Sequence, residues 1–397
     1  MKKLLVIGAG FLQSFVIQKA VSMGYETLAV DADPNAVGFN YAHKHAAINI
    51  VDENACLDYA KSEHIDGVVT AATDFGVLSA AYVAQELGLP GLKYEVAQLI
   101  KNKYRVRKCL YEAQVDDTEQ AYEVNADTDI GVLAKELKYP VMVKPCDGSG
   151  SRGARRVDNA SDLDDACNYA MDASVTHRAE IETFITGQEY GAESIVVDGQ
   201  VHVLGIMKKW MTKPPYYAEL GHAMPCGLPR EVENKAKECI KKAILALGIN
   251  FGSVNMDMLI TADGMLYIID IGARMGGNMI GSRIIPYGTG IDYVGAMIQN
   301  AIGDSVDLRV KEHWAVASKI LAFEEGIVKN MPDMKAIENR YNVEIYYHLN
   351  KGIKVNEYHT NLDGCGYIVA KGKTIEDAEI KASGALEMIK RTAFGVL

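Results

Sequence analysis

The stretch around which this chain is organised is LITADGMLYIIDIGARMGGNMIG, from Leu259 to Gly281. Ala262-Asp263-Gly264 is a turn signal between two apolar runs, which predicts a short β-hairpin. The second strand of this hairpin ends at Asp270, the first strand carries Asp257, and Arg274 follows ahead of a Gly-Gly pair. We expect Mg²⁺ and phosphate to bind here, because hard cations take oxygen ligands and the guanidinium fork matches phosphate oxygens.

The composition is that of an ordinary globular protein. The chain has 397 residues, 49% hydrophobic and 23% charged, and this length predicts two or three domains. A net charge of −11 argues against nucleic acid as the main partner, although it allows a local basic pocket for ATP. No stretch is long enough to span a bilayer, so no membrane partner is expected.

The cysteines and the N-terminus bear on location. Seven cysteines are scattered without a CxxC pair, which favours reduced thiols in a cytoplasmic protein over disulfides or a zinc site. The N-terminal MKKLLVIGAGF is basic and then apolar, as in a signal peptide. Its apolar run is short and leads into a glycine turn, so we predict a first strand instead.

Residues 1–95 predict a Rossmann-like parallel sheet. Lys3–Ile7 is a buried strand, Phe11–Met23 has helical periodicity, and Thr27–Val30 is the next strand, which together make a βαβ unit. Further strands are predicted at residues 46–50 and 66–70. Residues 73–76 follow this strand end, where they could face a ligand cleft, but a cap at Thr73 or Asp74 for the helix that follows is the favoured interpretation.

The same region raises the alternative of dinucleotide binding. Gly8 and Gly10 match the first two glycines of the G-x-G-x-x-G fingerprint, and Asp31 matches its acidic residue. The third glycine is replaced by Gln13, and that glycine permits close packing of helix on strand. The pattern therefore favours a scaffold over an NAD or FAD site.

A strand lysine and a glycine-rich loop predict phosphate contact in the middle of the chain. Pro140–Pro145 is a short apolar strand that carries Lys144, and a buried lysine needs a partner. The loop Cys146–Gly153 follows, with three glycines and two serines whose free N–H groups suit phosphate. It is not a P-loop, since the lysine precedes the glycines. A flexible hairpin is the alternative.

Three further stretches surround that loop. Lys103 lies in a basic helix start, which alone indicates only a solvated face. Glu182 to Ile185 is extended chain whose backbone suits an adenine edge, and Glu189 suits ribose hydroxyls, but an edge strand explains this stretch equally well. Glu193–Val201 is a clear hairpin.

In this order, the parts resemble the ATP-grasp superfamily, most of all its carbamoyl-phosphate-synthetase-like and L-amino-acid-ligase branch. They are a helix lysine, a strand lysine with a Gly/Ser loop, a Glu-x-Phe-Ile-x-Gly-x-Glu stretch, two strand acids and an arginine. The resemblance implies a mixed α/β and α+β fold in three domains. These are a Rossmann-like domain at 1–95, an ATP-grasp domain of two α+β subdomains at 96–310 with its lid at about 140–200, and a small α/β cap at 311–397.

The resemblance also implies roles for the matching residues. The lysines would bind the ATP phosphates, Glu182 and the two residues after Thr183 would meet adenine, and Glu189 would bind ribose. Asp257 and Asp270 would hold Mg²⁺, and Arg274, with Lys144, would be catalytic. The nucleotide-binding set is Lys103, Lys144, Ser149, Gly150, Ser151, Glu182, Phe184, Ile185 and Glu189.

Two positions depart from the family pattern. The family usually has Glu-x-Asn-x-Arg where this chain has Asp270-Ile271-Gly272-Ala273-Arg274. Aspartate is one methylene shorter than glutamate, and Gly272 removes an amide oxygen that often ligates a second Mg²⁺. Water or Asn278 is the expected substitute, so we predict one Mg²⁺ firmly and leave a second open.

The substrate residues are predicted from two stretches. Residues 208–227 lack periodicity and read as a loop suited to a substrate lid, and related ligases carry a similar Glu-x-Gly-His-x-x-Pro run there. The second stretch is a helix start that favours an anion such as a carboxylate, with an arginine one turn later. The predicted substrate residues are Glu219, His222, Gly276, Gly277, Asn278 and Arg283.

The remaining expectations concern the tail and the reaction. Residues 311–397 predict several strands and a helix from Thr374 to Lys390, a cap that closes the cleft or forms a homodimer. The implied function is an ATP-dependent ligase that joins a small-molecule carboxylate to an amine through an acyl phosphate, with ATP and one or two Mg²⁺ ions, or Mn²⁺ in their place. Carboxylation through carboxyphosphate and a nucleotide-binding module without turnover are the alternatives.

Overall fold

In the computed structural model, which describes residues 1–118, 120–148, 152–214, 216–311 and 313–395, the N-terminal region alternates strands with helices. The strands pair in parallel in the order β3-β2-β1-β4, which confirms the Rossmann-like sheet. Residues 4–7 of β1 are completely buried, as expected for a parallel sheet covered on both faces. The elements are β1 (Lys3–Ile7), α1 (Phe11–Ser22), β2 (Glu26–Asp31), β3 (Lys44–Ala47), α2 (Glu53–Glu63), β4 (Gly67–Thr70) and α3 (Val77–Leu87).

The residues that raised the dinucleotide alternative hold turns in place. Gln13 is buried, and its Nε2 donates to the carbonyl of Ala71 at 2.7 Å. The Asp31 carboxylate accepts from the backbone N–H of Ala9 at 2.8 Å and of Asp33 at 3.0 Å. These contacts support the scaffold interpretation.

A small antiparallel sheet follows, in the order β5-β8-β6-β7. Helix α7 packs on it through an apolar cluster that includes Leu163, Val141 and Ile181. This sheet carries Lys144 on β6 directly opposite Glu180 on β8. The elements of this part are α4 (Tyr94–Ile100), α5 (Lys103–Glu112), β5 (Ala121–Val124), α6 (Ile130–Glu136), β6 (Val141–Pro145), β7 (Arg155–Val157), α7 (Leu163–Ala173) and β8 (Ala179–Thr183).

The next part builds most of a large antiparallel sheet. Strands β9 and β10 form the predicted hairpin, which is longer than expected, and β12 and β13 form the hairpin of the opening stretch. The elements are β9 (Gln188–Val197), β10 (Gln200–Met211), β11 (Glu219–Met224), α8 (Arg230–Ala246), β12 (Gly252–Ile260), β13 (Leu266–Gly272), a π-helical turn (Ile280–Ile284), α9 (Ile285–Thr289) and α10 (Tyr293–Ile302).

The C-terminal strands extend this sheet instead of forming a separate one. The strand order is β13-β12-β9-β10-β11-β14-β18-β16, so the predicted cap shares a continuous sheet with the centre of the molecule. Thr374 caps the last helix as predicted, accepting from the Asp377 N–H at 3.2 Å. The elements are β14 (Ala315–Ile320), β15 (Gly326–Ile327), α11 (Met334–Tyr341), β16 (Val343–Tyr347), β17 (Lys354–Val355), β18 (Gly366–Gly372) and α12 (Ile375–Phe394).

Two predicted segments differ from the structure. Strand β13 does not end at Asp270, because Gly272 still pairs with Asn255 on β12. The predicted lid at 208–227 is largely strand, since β11 pairs with both β10 and β14, and 212–218 alone connects β10 to β11. Sheet pairing with distant strands gave this stretch a structure that its own sequence does not show.

None of the helices in the described ranges is long and apolar enough to cross a lipid bilayer.

Candidate active site

Two cavities meet beside the β12–β13 hairpin. The outer cavity has a volume of about 720 Å³ and lies between the small sheet and the large sheet. The inner cavity, of about 380 Å³, reaches toward the N-terminal region. The residues that line both are Lys103, Gly148, Arg152, Glu189, Lys209, Met211, Asp257 and Asp270.

Asp257 and Asp270 lie at this junction because they are paired residues on adjacent strands. Asp257 on β12 is directly opposite Asp270 on β13, with a register shift just after Asp257. Side chains opposite each other in an antiparallel pair point to the same face of the sheet. The Asp270 carboxylate pairs with the Lys103 ammonium at the start of α5. The structure thus brings together three residues that the sequence predicts for one site.

Lys209 is a central residue that sequence reasoning missed. Its ammonium is buried on β10 and lies 2.6 Å from Glu189, 2.8 Å from Glu219 and 2.9 Å from Asp257. Burial opposes the charged form, but these three carboxylates outweigh it and raise the pKa of Lys209 well above its usual range. Lys209 therefore forms ion pairs with three predicted site residues: Glu189 (ribose), Glu219 (substrate) and Asp257 (metal).

Lys144 also lines the outer cavity, and its charge is balanced from the same sheet. Its Nζ lies 2.6 Å from Glu182 and donates to the Ile269 carbonyl at 3.2 Å. The other oxygen of Glu182 accepts from Arg107 Nε at 3.0 Å, and Arg107 also pairs with Asp116 at 2.9 Å. Burial works against ionised Glu182, but Lys144 and Arg107 outweigh it and lower its pKa. Glu182 thus orients Lys144, and because it also lines the outer cavity, its contact with adenine stays a prediction.

Phe184 and Ile185 line the outer cavity just after β8 ends. The Phe184 ring lies 4.6 Å from the Arg156 guanidinium, and its backbone N–H donates to the Pro140 carbonyl at 3.2 Å. The predicted loop residues Ser149, Gly150 and Ser151 lie outside the described residues. Gly148 and Arg152, on either side of them, line both cavities.

Arg274 points into the inner cavity and is held from two sides. Its Nε and one Nη donate to the two oxygens of Asp74 at 2.8 and 3.0 Å, and the other Nη donates to Asn255 at 3.1 Å. The prediction that Asp74 caps a helix is wrong, because α3 begins after Gly76 and Asp74 is engaged by Arg274. This fork-to-fork pair fixes the plane of the guanidinium.

Gly272 makes room for this pair. A Cβ atom at residue 272 would lie 2.9 Å from Asp74 Oδ1 and 3.2 Å from Arg274 Cζ. A side chain at this position would therefore require Asp74 or Arg274 to shift.

The buried Glu193 stabilises the residues on either side of Arg274. Glu193 Oε1 accepts from Asn255 Nδ2 at 2.8 Å and from the Gly276 N–H at 2.9 Å, and Oε2 lies 2.7 Å from the Tyr293 hydroxyl. Burial raises the pKa of Glu193 to about 8. Because the Gly276 N–H is engaged here, it is not the free anion-binding donor that the sequence predicts.

The other substrate candidates divide into two groups. Glu219, Gly277 and Asn278 line the inner cavity, and Asn278 donates to the Glu219 carboxylate. His222 is buried behind Glu219, 3.7 Å away, and burial lowers its pKa to about 4, so the imidazole is neutral at pH 7. Among the described residues that line the two cavities His222 does not occur, so the structure does not support direct contact with substrate.

Arg283 lies away from the site. Its Nε donates to the Tyr346 hydroxyl at 2.7 Å and to Glu344 at 3.2 Å, and its guanidinium lies 4.8 Å from the centre of the Phe15 ring. These contacts tie the π-helical turn to β16 and α1. The predicted role in binding a substrate carboxylate is therefore not supported by its position.

The charges at the junction fit a divalent cation. In the described part of the chain, no group of three or more His, Cys, Asp and Glu side chains could hold a metal ion alone. Mg²⁺ needs less, since one or two carboxylates plus nucleotide phosphates commonly bind it. Burial, with the neighbouring acids, raises the pKa of Asp257 to about 7 despite Lys209, which indicates an uncompensated negative charge. Four carboxylates contact two lysines here: Glu189, Glu219, Asp257, Asp270, Lys103 and Lys209.

Comparison with known proteins adds a family match. Residues 137–282 match the family model of the ATP-grasp domain. This range spans β6 through to the π-helical turn. It includes the candidate residues Lys144, Glu182, Glu189, Lys209, Asp257, Asp270 and Arg274.

Two solved structures share the fold over nearly the whole chain, and a curated relative is similar in sequence over nearly the whole chain. An L-amino acid ligase from Bacillus licheniformis has a TM-score of 0.83 at 23% identity, covering 98% of each chain. The biotin carboxylase domain of a Hydrogenobacter thermophilus 2-oxoglutarate carboxylase has a TM-score of 0.78 at 19% identity, covering 97% of this chain and 89% of that one. A formate-dependent phosphoribosylglycinamide formyltransferase from Sulfurisphaera tokodaii is 23% identical, covering 98% of this chain and 96% of the relative.

Proposed function

We propose, from the premise that this chain carries an ATP-grasp domain, that it is a ligase that uses Mg-ATP to activate a carboxylate as an acyl phosphate and transfers the acyl group to an amine. The observation that carries the proposal is the junction of the two cavities. Lys103, Lys209 and the two strand aspartates line both, so a phosphate bound there is reached from the nucleotide side and from the inner side. That arrangement suits transfer of a phosphoryl group to a second molecule.

We assign the outer cavity to ATP. Phe184, Ile185 and Glu189 line this cavity, and we propose the first two as the surface for adenine and Glu189 as the contact for ribose. Lys144 and Lys103 face the phosphates, and both are pre-positioned by carboxylates, Glu182 and Asp270. Positioned charges of this kind provide most of the catalysis in phosphoryl transfer, because the protein has little covalent work to do.

Asp257 and Asp270 are the proposed Mg²⁺ ligands, supported by their opposed positions on adjacent strands and by the acids near Asp257, which with burial raise its pKa. When bound, Mg²⁺ would neutralise phosphate charge and orient the terminal phosphoryl group. Lys103 and Lys209 contact the same carboxylates, so they keep the aspartates in place before nucleotide binds. Gly272 lacks the oxygen for a second ion, so the proposal requires one.

The reaction has two steps. A carboxylate oxygen attacks the γ-phosphorus of ATP, the bond to the β–γ bridging oxygen breaks, and ADP leaves. An amine nitrogen then attacks the acyl carbon, the carbon–oxygen bond to phosphate breaks, phosphate leaves, and the amine loses a proton. Arg274, fixed by Asp74 and Asn255, is placed to stabilise the transferred phosphoryl group or the acyl phosphate.

The test is release of ADP and phosphate with Mg-ATP and a panel of amino-acid pairs, and with bicarbonate plus amines. We expect release with a carboxylate and an amine together. Hydroxylamine in place of the amine should trap a hydroxamate, which reports the acyl phosphate directly. The variant D270N tests the metal site. It removes one negative charge there and should abolish the release of ADP and phosphate.

Each outcome has a reading. Release that requires bicarbonate and yields no hydroxamate from other carboxylates would overturn the ligase in favour of carboxylation, the chemistry of the structurally similar biotin carboxylase domain. Binding of ATP without turnover on any pair would favour a binding module. D270N with wild-type turnover would reject the metal role.

A further inference from the structure

Lys101 is a lysine of the inner cavity that the proposed mechanism does not use. It follows α4 and lines the cavity beside Phe75 and Ile100. Its ammonium is buried, lies 4.7 Å from the centre of the Phe75 ring, and has no hydrogen-bond partner among the described residues. Burial lowers the pKa of Lys101.

The two carboxylates that most favour the charged form of Lys101, Asp74 and Asp147, are already engaged elsewhere. Asp74 binds the Arg274 guanidinium with both oxygens. Asp147 accepts from the backbone N–H groups of Val175 at 3.1 Å and Thr176 at 2.9 Å. The other lysines of this cavity have carboxylate partners, Lys103 with Asp270 and Lys209 with three acids.

The position of Lys101 separates it from the nucleotide. Lys103, two residues on, lines both cavities, whereas Lys101 lines the inner one alone. Besides Asp74 and Asp147, the lining of this cavity includes the apolar side chains of Phe75, Val77, Leu78, Ala97 and Ile100. A buried ammonium on an apolar wall is costly unless an anion completes it, and the cation–π contact with Phe75 compensates only in part.

We propose that Lys101 binds a second anionic group of the acyl donor, a carboxylate or phosphate at the end of the molecule remote from the reacting carboxylate. This inference rests on the proposed function for its account of the reacting end. It makes the substrate a dianion, with one anionic end at the junction of the cavities and the other on the apolar wall. Arg274 and Lys101 then divide the recognition between the reacting end and the remote end.

The experiment compares dianionic acids with counterparts of similar length that keep the reacting carboxylate but have a neutral remote end (the neutral counterparts). The pairs are succinate with succinamate, glutarate with glutaramate, and 3-phosphonopropionate with 3-hydroxypropionate, the last pair separating a phosphate-type group from a carboxylate. ADP release with an amine gives kcat and KM for wild type, K101M and K101R. K93M is the matched control, because Lys93 is an exposed lysine at the other end of α4.

We expect wild type and K93M to prefer the dianion of at least one pair by about ten- to hundredfold in kcat/KM, as for a charged hydrogen bond. K101M should lose that preference, mainly through KM, and leave the neutral counterpart unchanged. K101R should retain part of it. Equal rates for both members of every pair in wild type, or an equal loss on both in K101M, would overturn the proposal.

A binding measurement separates this proposal from the ligase proposal. The shift in melting temperature caused by each acid is measured with a non-hydrolysable ATP analogue and Mg²⁺ present. If dianions shift the melting temperature more than their neutral counterparts do, and K101M abolishes this difference, the Lys101 site is supported even when no acid is turned over. Absence of turnover would then contradict the ligase proposal alone. Turnover of neutral acids with no dianion-specific shift would sink the Lys101 site and leave the ligase standing.

Discussion

At the residue scale, the central position of Lys209 in the site could not be predicted from the sequence. It is one of two adjacent lysines, and strand alternation sends Lys208 and Lys209 to opposite faces of β10. Which of them points inward depends on the register of β10 with β9 and β11, and both pairings contain irregularities. The sequence therefore predicts the acids of the site and gives no local signal for the lysine at their centre.

Replacing Lys209 should lower the free energy of unfolding more than replacing Lys208 does. K209M leaves Glu189, Glu219 and Asp257 without their shared cation, and breaking a buried ion cluster typically destabilises by about 3–5 kcal/mol. Urea unfolding measures the free energy of unfolding of K209M against K208M, the matched control. Mg²⁺ should narrow the difference, because it neutralises the same carboxylates. Equal stabilities of the two variants would contradict the central role of Lys209.

Glu193 gives a pH dependence whose sign follows from its raised pKa. With a pKa of about 8 in the folded protein against an ordinary 4.5, native Glu193 holds a proton that the unfolded chain has released. The free energy of unfolding should then fall as pH rises from 4.5 to 8, by up to about 1.4 kcal/mol per pH unit from this group. Glutamine cannot ionise and mimics the protonated acid, so E193Q lacks this contribution.

The comparison of wild type with E193Q isolates that group. Melting temperatures are measured from about pH 5 to pH 9, a range that brackets the window of the linkage. We expect E193Q to match wild type in stability at the acidic end and to become steadily the more stable protein toward the alkaline end, because only wild type loses stability through Glu193. A constant difference across the range would show that Glu193 is ionised throughout.

At the scale of elements, the β12–β13 hairpin was predictable from the sequence, whereas the pairing of Arg274, which follows it, with Asp74 was not. The Ala-Asp-Gly turn fixes the hairpin, and the hairpin brings Asp257 opposite Asp270. Asp74 lies 200 residues before Arg274 in the chain, and its own neighbourhood reads as a helix start. Pairing over that distance follows from how the N-terminal region packs on the hairpin, which no local pattern encodes.

Adding a side chain at Gly272 tests how β13 presents this ion pair. In G272A the new Cβ would crowd Asp74 Oδ1, which lies 2.9 Å from its position, and shift Arg274. We expect kcat/KM for the ligase reaction to fall, by up to about a hundredfold, the loss that a displacement of about 1 Å of a positioned group can cause. The melting temperature should change little, since Asp74 and Arg274 border a cavity.

The control for this substitution is G131A. Gly131 lies on the exposed side of α6, where the nearest atom to an added Cβ is 3.4 Å away, so activity should match wild type. If G272A keeps wild-type activity as well, the Asp74–Arg274 geometry is not required for turnover. If G131A loses activity equally, the effect does not arise at the hairpin.

At the scale of the whole molecule, the order of the sheets was harder to predict than their existence. The βαβ pattern predicts the parallel sheet, and turn signals predict the hairpins. The C-terminal strands, however, join the large sheet through β14 pairing with β11, and neither strand carries a sequence signal for the other. The stretch at 208–227 was misjudged for the same reason, since its strands gain their order from partners far along the chain.

The two sheets around the outer cavity should be held together by nucleotide. Lys144 on the small sheet already reaches the carbonyl of Ile269 on β13, so the bound phosphates would add a second link across the same gap. A ligand that binds the folded state alone at a hundred times its Kd stabilises it by about 2.7 kcal/mol. We expect Mg-ATP to raise the melting temperature of wild type accordingly.

K144M should lose most of that increment. If the substitution weakens binding about a hundredfold, the same ATP concentration stabilises the variant by only about 0.4 kcal/mol. The ATP-induced increment is the measured quantity, because removing Lys144 also leaves Glu182 and Glu180 short of a partner and lowers stability without ATP. The control is K138M, because Lys138 is an exposed lysine shortly before β6. K138M should keep the full ATP-induced increment, and K144R should keep part of it. An ATP increment in K144M equal to that of K138M would remove Lys144 from the nucleotide site and with it the assignment of the outer cavity to ATP.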